Sequence, residues 1–217
     1  MAAIADNLQA VRARISGAPG VTLLAVSKTQ SAERIREAVA AGQKAFGENY
    51  VQEAVQKMEL LPPLEWHLIG PLQSNKTRLA AERFAWVQTV ASEKIARRLS
   101  EQRPASLPPL NVLIQVNVSG EASKSGVELD EVEGLARVLA GLPRLSLRGL
   151  MAIPEPGADR SRYASVKNVF EQLKGEFHFD TLSMGMSDDL ELALAEGATM
   201  VRIGTAIFGQ RTRKDAA

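Results

Sequence analysis

The sequence predicts an α/β protein folded as a single (β/α)8 TIM-type barrel with an extra helix at its N-terminus. Three observations point there. Short apolar runs alternate with amphipathic segments about eight times along the chain. No long linker, repeat or shift in composition divides the 217 residues, so one domain spanning 1–217 is expected. Strict alternation implies parallel strands joined by right-handed crossovers, which leaves an open doubly wound sheet or a closed barrel. Eight units in a chain near the lower end of the usual barrel length favour closure.

Each element has its own justification. Ile4, Leu8, Val11 and Ile15 recur at helical spacing, and Gly17, Pro19 and Gly20 end that helix. Val21–Val26 is a short apolar run suited to a buried parallel strand, and it ends at Ser27 and Lys28. Ser31 is placed to cap a helix carrying Ile35, Ala38 and Val39, which Gly42 closes. A strand over 44–47 and a helix over 51–59 follow, broken by Pro62 and Pro63. The pattern then repeats: strand 65–70, helix 75–84, strand 86–90, helix 92–102, and a proline-rich loop over 104–109. Strand 111–118, helix 129–139, strand 148–153, helix 160–174 and strand 181–184 continue it. Asp188 and Asp189 suit the positive start of a helix that Gly197 stops, before a last strand over 200–203.

Composition narrows the function. Lys and Arg number 26 against 25 Asp and Glu, a balance that leaves no electrostatic footprint for nucleic acid or an anionic membrane. There are no cysteines, which removes disulfides, thiolate nucleophiles and cysteine metal sites and suits a cytoplasmic location. Two histidines, His67 and His178, are too few for a histidine-rich zinc site. The start of the chain lacks the basic and apolar regions of a signal peptide. No window reaches the ~18 apolar residues of a membrane span. No long exposed apolar stripe calls for a partner, so a monomer is expected.

The chemistry gathers at strand ends. Lys28 stands where an apolar strand stops, the end at which α/β sheets place their active groups. A lysine half-buried there loses hydration, its amine becomes nucleophilic, and it can form a Schiff base. A lysine that merely snorkels to solvent has the same local sequence. Ser183-Met184-Gly185-Met186-Ser187 and Gly204-Thr205 follow the last two strands, where barrels recurrently cradle phosphate. Glycine lets backbone N–H groups approach an anion, and Ser183 and Thr205 add hydroxyls. Arg202, between Val201 and Ile203, is a cation on an apolar strand and needs a partner. Lysine, phosphate cradle and arginine facing one cavity together suggest pyridoxal 5'-phosphate. Lys28 would hold the aldehyde and Arg202 would hydrogen-bond the ring nitrogen. A guanidinium cannot keep that nitrogen protonated, so the ring becomes a weak electron sink.

Seven segments carry a resemblance to a known family. They are Ala25–Lys28, Phe46–Glu53, His67–Lys76, Ser123–Gly126, Gly149–Met151, Leu182–Ser187 and Val201–Gly209. In this order they resemble the pyridoxal phosphate homeostasis protein family, which has the fold of the alanine racemase N-terminal domain. The resemblance implies cofactor on Lys28, phosphate contacts from Ser183, Gly204 and Thr205, and Arg202 near the ring nitrogen. It also implies that Asn49, Leu68 and Ile69 line the ring. Met184 reads as adaptable packing around the ring or as turn filler. Lys124 reads equally as facing the cavity mouth or as an exposed loop lysine, and His67 as a hydrogen-bonded core or rim residue in preference to a base.

Two functions compete. One is a cofactor carrier that buffers or delivers pyridoxal 5'-phosphate without turnover, its acceptors being apo forms of pyridoxal-phosphate enzymes. The other is an amino-acid racemase, which needs acid/base groups on both faces of a planar carbanion. In the racemases a tyrosine from a separate β domain serves the second face. Tyr163 falls on an outer helix; Tyr50 follows a strand end and could approach the cavity, with packing at its helix start favoured. The carrier reading is favoured, as it is by the resemblance. A Schiff-base aldolase without cofactor shares Lys28 and the cradle but has no special use for Arg202.

Overall fold

The structure, a computed structural model, describes residues 3–119, 125–155 and 157–210. Eight parallel strands close into a barrel in sequence order: β1 (Thr22–Val26), β2 (Ala45–Glu48), β3 (Glu65–Leu68), β4 (Trp86–Val90), β5 (Leu110–Val116), β6 (Leu145–Ala152), β7 (Thr181–Ser183) and β8 (Met200–Ile203). Closure is made by β1 against β8, with Thr22 opposite Met200 and Ala25 opposite Ile203. The closed barrel confirms the expected fold class.

The helices are α1 (Ile4–Ile15), α2 (Ala32–Ala40), α3 (Val51–Leu60), α4 (Thr77–Arg83), α5 (Glu93–Gln102), α6 (Val132–Ala140), α7 (Arg160–Phe177), α8 (Leu190–Ala195) and α9 (Thr205–Phe208). The Ser31 hydroxyl accepts the Arg34 N–H at the start of α2, as an N-cap does. The predicted N-terminal helix is α1. It packs on α2 and α9, and the Asn7 side chain donates to the Ile207 carbonyl at 2.9 Å.

Alternation along each strand sorts residues between two cores. The outer one, between strands and helices, takes Leu23, Ala25, Phe46, Leu68, Leu182, Met184, Val201 and Ile203. Inside the barrel, Leu24, Ala45, Ile69 and Met200 form one apolar group and Trp86, Leu113 and Met151 another. β6 starts three residues before the predicted strand. Within it, the Arg148 guanidinium pairs with Asp180 and lies 5.1 Å from the Trp86 ring centre. Gly149 follows at φ +144°, and a Cβ there would lie 2.1 Å from the Thr181 carbonyl oxygen. Only glycine lets β6 and β7 approach so closely.

Candidate functional site

The C-terminal ends of β1, β7 and β8 surround a cavity of about 240 Å³. Its wall includes Lys28, Ser187, Arg202, Gly204, Thr205 and Phe208. Lys28 lies in a tight turn just after β1, closed by the Gln30 N–H donating to the Ser27 carbonyl at 3.0 Å. The lysine is half-buried there. A second cavity of about 350 Å³ opens across the mouth, lined by Asn49, Ile69, Gln115 and Ile153 among others.

Arg202 is 3% exposed on the inner face of β8. Nη1 donates to the Ser183 hydroxyl and Nη2 to the Ala152 carbonyl, both at 2.8 Å. Neither acceptor carries charge, and among the described residues no carboxylate pairs with Arg202. Burial pulls its pKa down to about 10, against an opposing pull from Asp189, so it stays a cation at neutral pH. A buried guanidinium held by neutral acceptors beside a cavity is chemically ready for a ligand that accepts hydrogen bonds.

The Ser183 hydroxyl is engaged inside the barrel. It accepts from Arg202 and donates to Gln88 Oε1 at 2.7 Å. Gln88 Nε2 in turn lies 2.9 Å from His67 Nδ1, and His67 Nε2 lies 2.8 Å from Glu65. Donors and acceptors are all matched if His67 is neutral with its proton on Nε2, a tautomer assigned from this pattern. Burial depresses the His67 pKa, outweighing Glu65, which agrees with the neutral ring. The relay runs Arg202, Ser183, Gln88, His67, Glu65, each donating to the next. His67 is thus the hydrogen-bonded core residue expected.

The other predicted residues divide clearly. Lys28, Arg202, Gly204 and Thr205 share one cavity wall. Asn49 and Ile69 line the opposite cavity. The side chains of Leu68 and Met184 are fully buried in the outer core, because both fall on the outward phase of their strands. Ser183 is also fully buried, and its hydroxyl is used within the relay. These placements correct the expectation that the side chains of Leu68, Ser183 and Met184 face the cavity. Ser187, the last residue of the predicted cradle segment, stands on the cavity wall in Ser183's expected place. Lys124 lies outside the described residues.

Sequence comparison adds a family. The alanine racemase N-terminal domain model matches residues 1–212. The chain belongs to this family. Within it, the chain is 57% identical over 226 residues to the pyridoxal phosphate homeostasis protein of Escherichia coli K12, covering 96% of this chain and 97% of that one. It is 57% identical over 223 residues to the protein of the same name from Pseudomonas aeruginosa, covering 97% of each. Among solved structures, PipY of Synechococcus elongatus with pyridoxal phosphate bound superposes with a TM-score of 0.86 at 38% identity, covering 95% of this chain and all of PipY. Alanine racemase of Corynebacterium glutamicum matches at a TM-score of 0.78 and 20% identity over 60% of its length, a likeness of fold alone.

The residues present fit the cofactor that PipY holds. A Cβ at Gly204 would come within 3.3 Å of Val26 Cβ and the Val26 carbonyl, a tight contact, so glycine eases the close approach of this backbone to β1. Gly204, Thr205 and Ser187 bring backbone N–H groups and hydroxyls to one side of the cavity, and Lys28 and Arg202 bring cations. That donor set matches a phosphate ester joined to a ring with an acceptor nitrogen.

Proposed function

We propose that this protein binds pyridoxal 5'-phosphate at the barrel mouth and serves the cell's balance of that cofactor as a carrier, without a turnover reaction of its own. The observation that carries the reading is the convergence of Lys28, Arg202, Gly204 and Thr205 on one cavity wall. The 57% identity to proteins named for pyridoxal phosphate homeostasis and the cofactor in PipY support it.

Lys28 would be the covalent anchor, its amine holding the cofactor's aldehyde carbon. Ser187, Gly204 and Thr205 would hold the phosphate, Arg202 would serve the ring nitrogen, and Asn49 and Ile69 would border the ring from across the mouth. When bound, the cofactor supplies an aldehyde and an electron-accepting ring. Arg202 limits the second of these, since a guanidinium donates to the nitrogen without protonating it.

The placement of both tyrosines supports carriage over racemization. Tyr50 is 61% exposed, outside the cavity. Tyr163 is buried, its phenol donates to Asp189 at 2.5 Å, and burial with that carboxylate raises its pKa far above neutrality. Neither is placed to exchange a proton opposite Lys28. We further assign the protein to the cytoplasm as a monomer, with apo pyridoxal-phosphate enzymes as acceptors.

The test is spectroscopic. Purified protein mixed with pyridoxal 5'-phosphate develops an absorbance band at ~420 nm, and Lys28→Ala does not. Holo-protein leaves L-alanine unracemized. A protein that stays colourless, or one that interconverts L- and D-alanine at enzyme-like rates, would overturn the reading.

A further inference from the structure

The turn that presents Lys28 is gripped from the outer side of the barrel by a buried ionic cluster. Lys57 on α3 is 7% exposed. Its ammonium donates to the Ser27 carbonyl, Glu48 Oε1 and Glu53 Oε1, each at 2.7 Å. Three N–H donors meet three acceptors, so its hydrogen-bonding capacity is filled.

Both carboxylates reach on to the same turn. Glu48 Oε1 accepts the Ser27 hydroxyl at 2.6 Å, and Glu53 Oε1 accepts the Thr29 N–H at 2.5 Å. The residues on either side of Lys28 are therefore both tied to Lys57 and its two carboxylates. Thr29 is held at φ +64°, a left-handed conformation that a β-branched residue adopts only when its surroundings impose it.

Stability alone is a poor explanation of this arrangement. Burying an ion pair costs each partner its hydration, and well-packed apolar side chains serve a core at least as well. Glu48 shows the cost: its Oε2 is buried with no hydrogen-bond partner among the described residues, and burial pushes its pKa up against the pull of Lys57. What directional ionic bonds give, and apolar packing does not, is a fixed backbone orientation.

We propose that Lys57, acting through Glu48 and Glu53, is the positioning residue for Lys28: it fixes the Ser27–Gln30 turn so that the Lys28 amine meets an aldehyde carbon in bonding geometry. The inference rests on the pyridoxal-phosphate reading of the cavity. Lys57 itself touches neither the cavity nor the reacting atoms.

Two probes separate positioning from binding. Pyridoxal 5'-phosphate can bond to Lys28, whereas pyridoxine 5'-phosphate carries an alcohol in place of the aldehyde and binds only non-covalently. In Lys57→Met, the rate at which the covalent band appears falls by about tenfold to a hundredfold, the cost of a misplaced reacting group. Affinity for pyridoxine 5'-phosphate, measured by calorimetry, stays within about threefold, as expected for a site whose phosphate contacts are untouched. Should Lys57→Met fail to fold, Glu53→Gln keeps an acceptor for the Thr29 N–H while losing the ion pair, and the same split appears at smaller amplitude. Folded variants that form the covalent band as fast as the wild type would overturn the proposal, as would equal losses with both probes, the mark of a merely structural role. A wild-type protein that binds neither probe would refute the cofactor reading, and this inference with it.

Discussion

Replacing Gln88 by leucine should break the relay beneath Arg202 at its middle. The carboxamide is fully buried and joins Ser183 to His67, with a further contact from Nε2 to Met200 Sδ at 3.1 Å. Leucine has similar bulk and no polar atom, so the Ser183 hydroxyl loses its acceptor and His67 Nδ1 loses its donor. Each of the two stranded buried groups costs about 1–3 kcal/mol, giving an expected loss of about 2–6 kcal/mol. That is a large share of the ~5–15 kcal/mol that stabilises a typical domain. Ser183→Ala strands Gln88 Oε1 and one Arg202 N–H. Because both changes remove the same Ser183–Gln88 bond, the double variant should lose about 1 kcal/mol less than the sum of the singles. Urea denaturation with all four proteins measures the cycle. Additive losses within about 0.5 kcal/mol would show that the two side chains act independently, and the relay would not exist as a unit.

Three further outcomes follow from other parts of the barrel. Gly149→Ala should destabilise by about 3 kcal/mol or more in a thermal melt, because the new methyl would meet the Thr181 carbonyl oxygen at 2.1 Å on a backbone at φ +144°. A loss under about 1 kcal/mol would mean β6 and β7 separate freely there. Arg103→Met should lower stability by about 2–4 kcal/mol, since the guanidinium satisfies the Ala81, Phe84 and Pro108 carbonyls at 2.7–2.9 Å. A midpoint unchanged in urea would contradict that. Acidification should also destabilise the fold. The unfolded chain protonates His67 below about pH 6.5, while the buried ring, its pKa lowered, does not. The unfolded state then binds more protons, and stability falls with pH from there down to the folded-state pKa, by at most about 1.4 kcal/mol per unit. Glu48 acts with the opposite sign, since its raised pKa gives a contribution present at low pH and lost as pH rises through the folded value. His67→Gln should therefore flatten the acid loss, and an unchanged slope would exclude His67 as its source.

The barrel was legible because its signal is repeated: eight apolar runs with helices between them specify one architecture even when single boundaries slip. α9 was missed because four residues, Thr205–Phe208, are too few to show a helical period. Lys28 and Arg202 stood out as cations ending or interrupting apolar strands, and both line the cavity. Ser183 was misassigned because sequence marks a hydroxyl near a strand end without saying what it bonds, and the partner is 95 residues away. Ser187, two residues past Gly185, occupies the wall instead. Lys57 left a signal that was not used. Val51, Ala54 and Lys57 are the buried face of α3, and a lysine on such a face, four residues after Glu53, calls for a buried partner. That partner, Glu48, sits at the end of β2, and only the folded chain brings it under Ser27.

The most direct test is to locate the cofactor chemically. Protein loaded with pyridoxal 5'-phosphate is treated with borohydride, which reduces the carbon–nitrogen double bond to a stable amine, and then digested and mapped by mass spectrometry. One phosphopyridoxyl group per chain on the peptide containing Lys28, absent from Lys28→Ala, is the expected result. A label spread over several surface lysines, or one that persists in Lys28→Ala at full yield, would show that Lys28 is not the anchor and that the cavity at the ends of β1 and β8 is not the binding site.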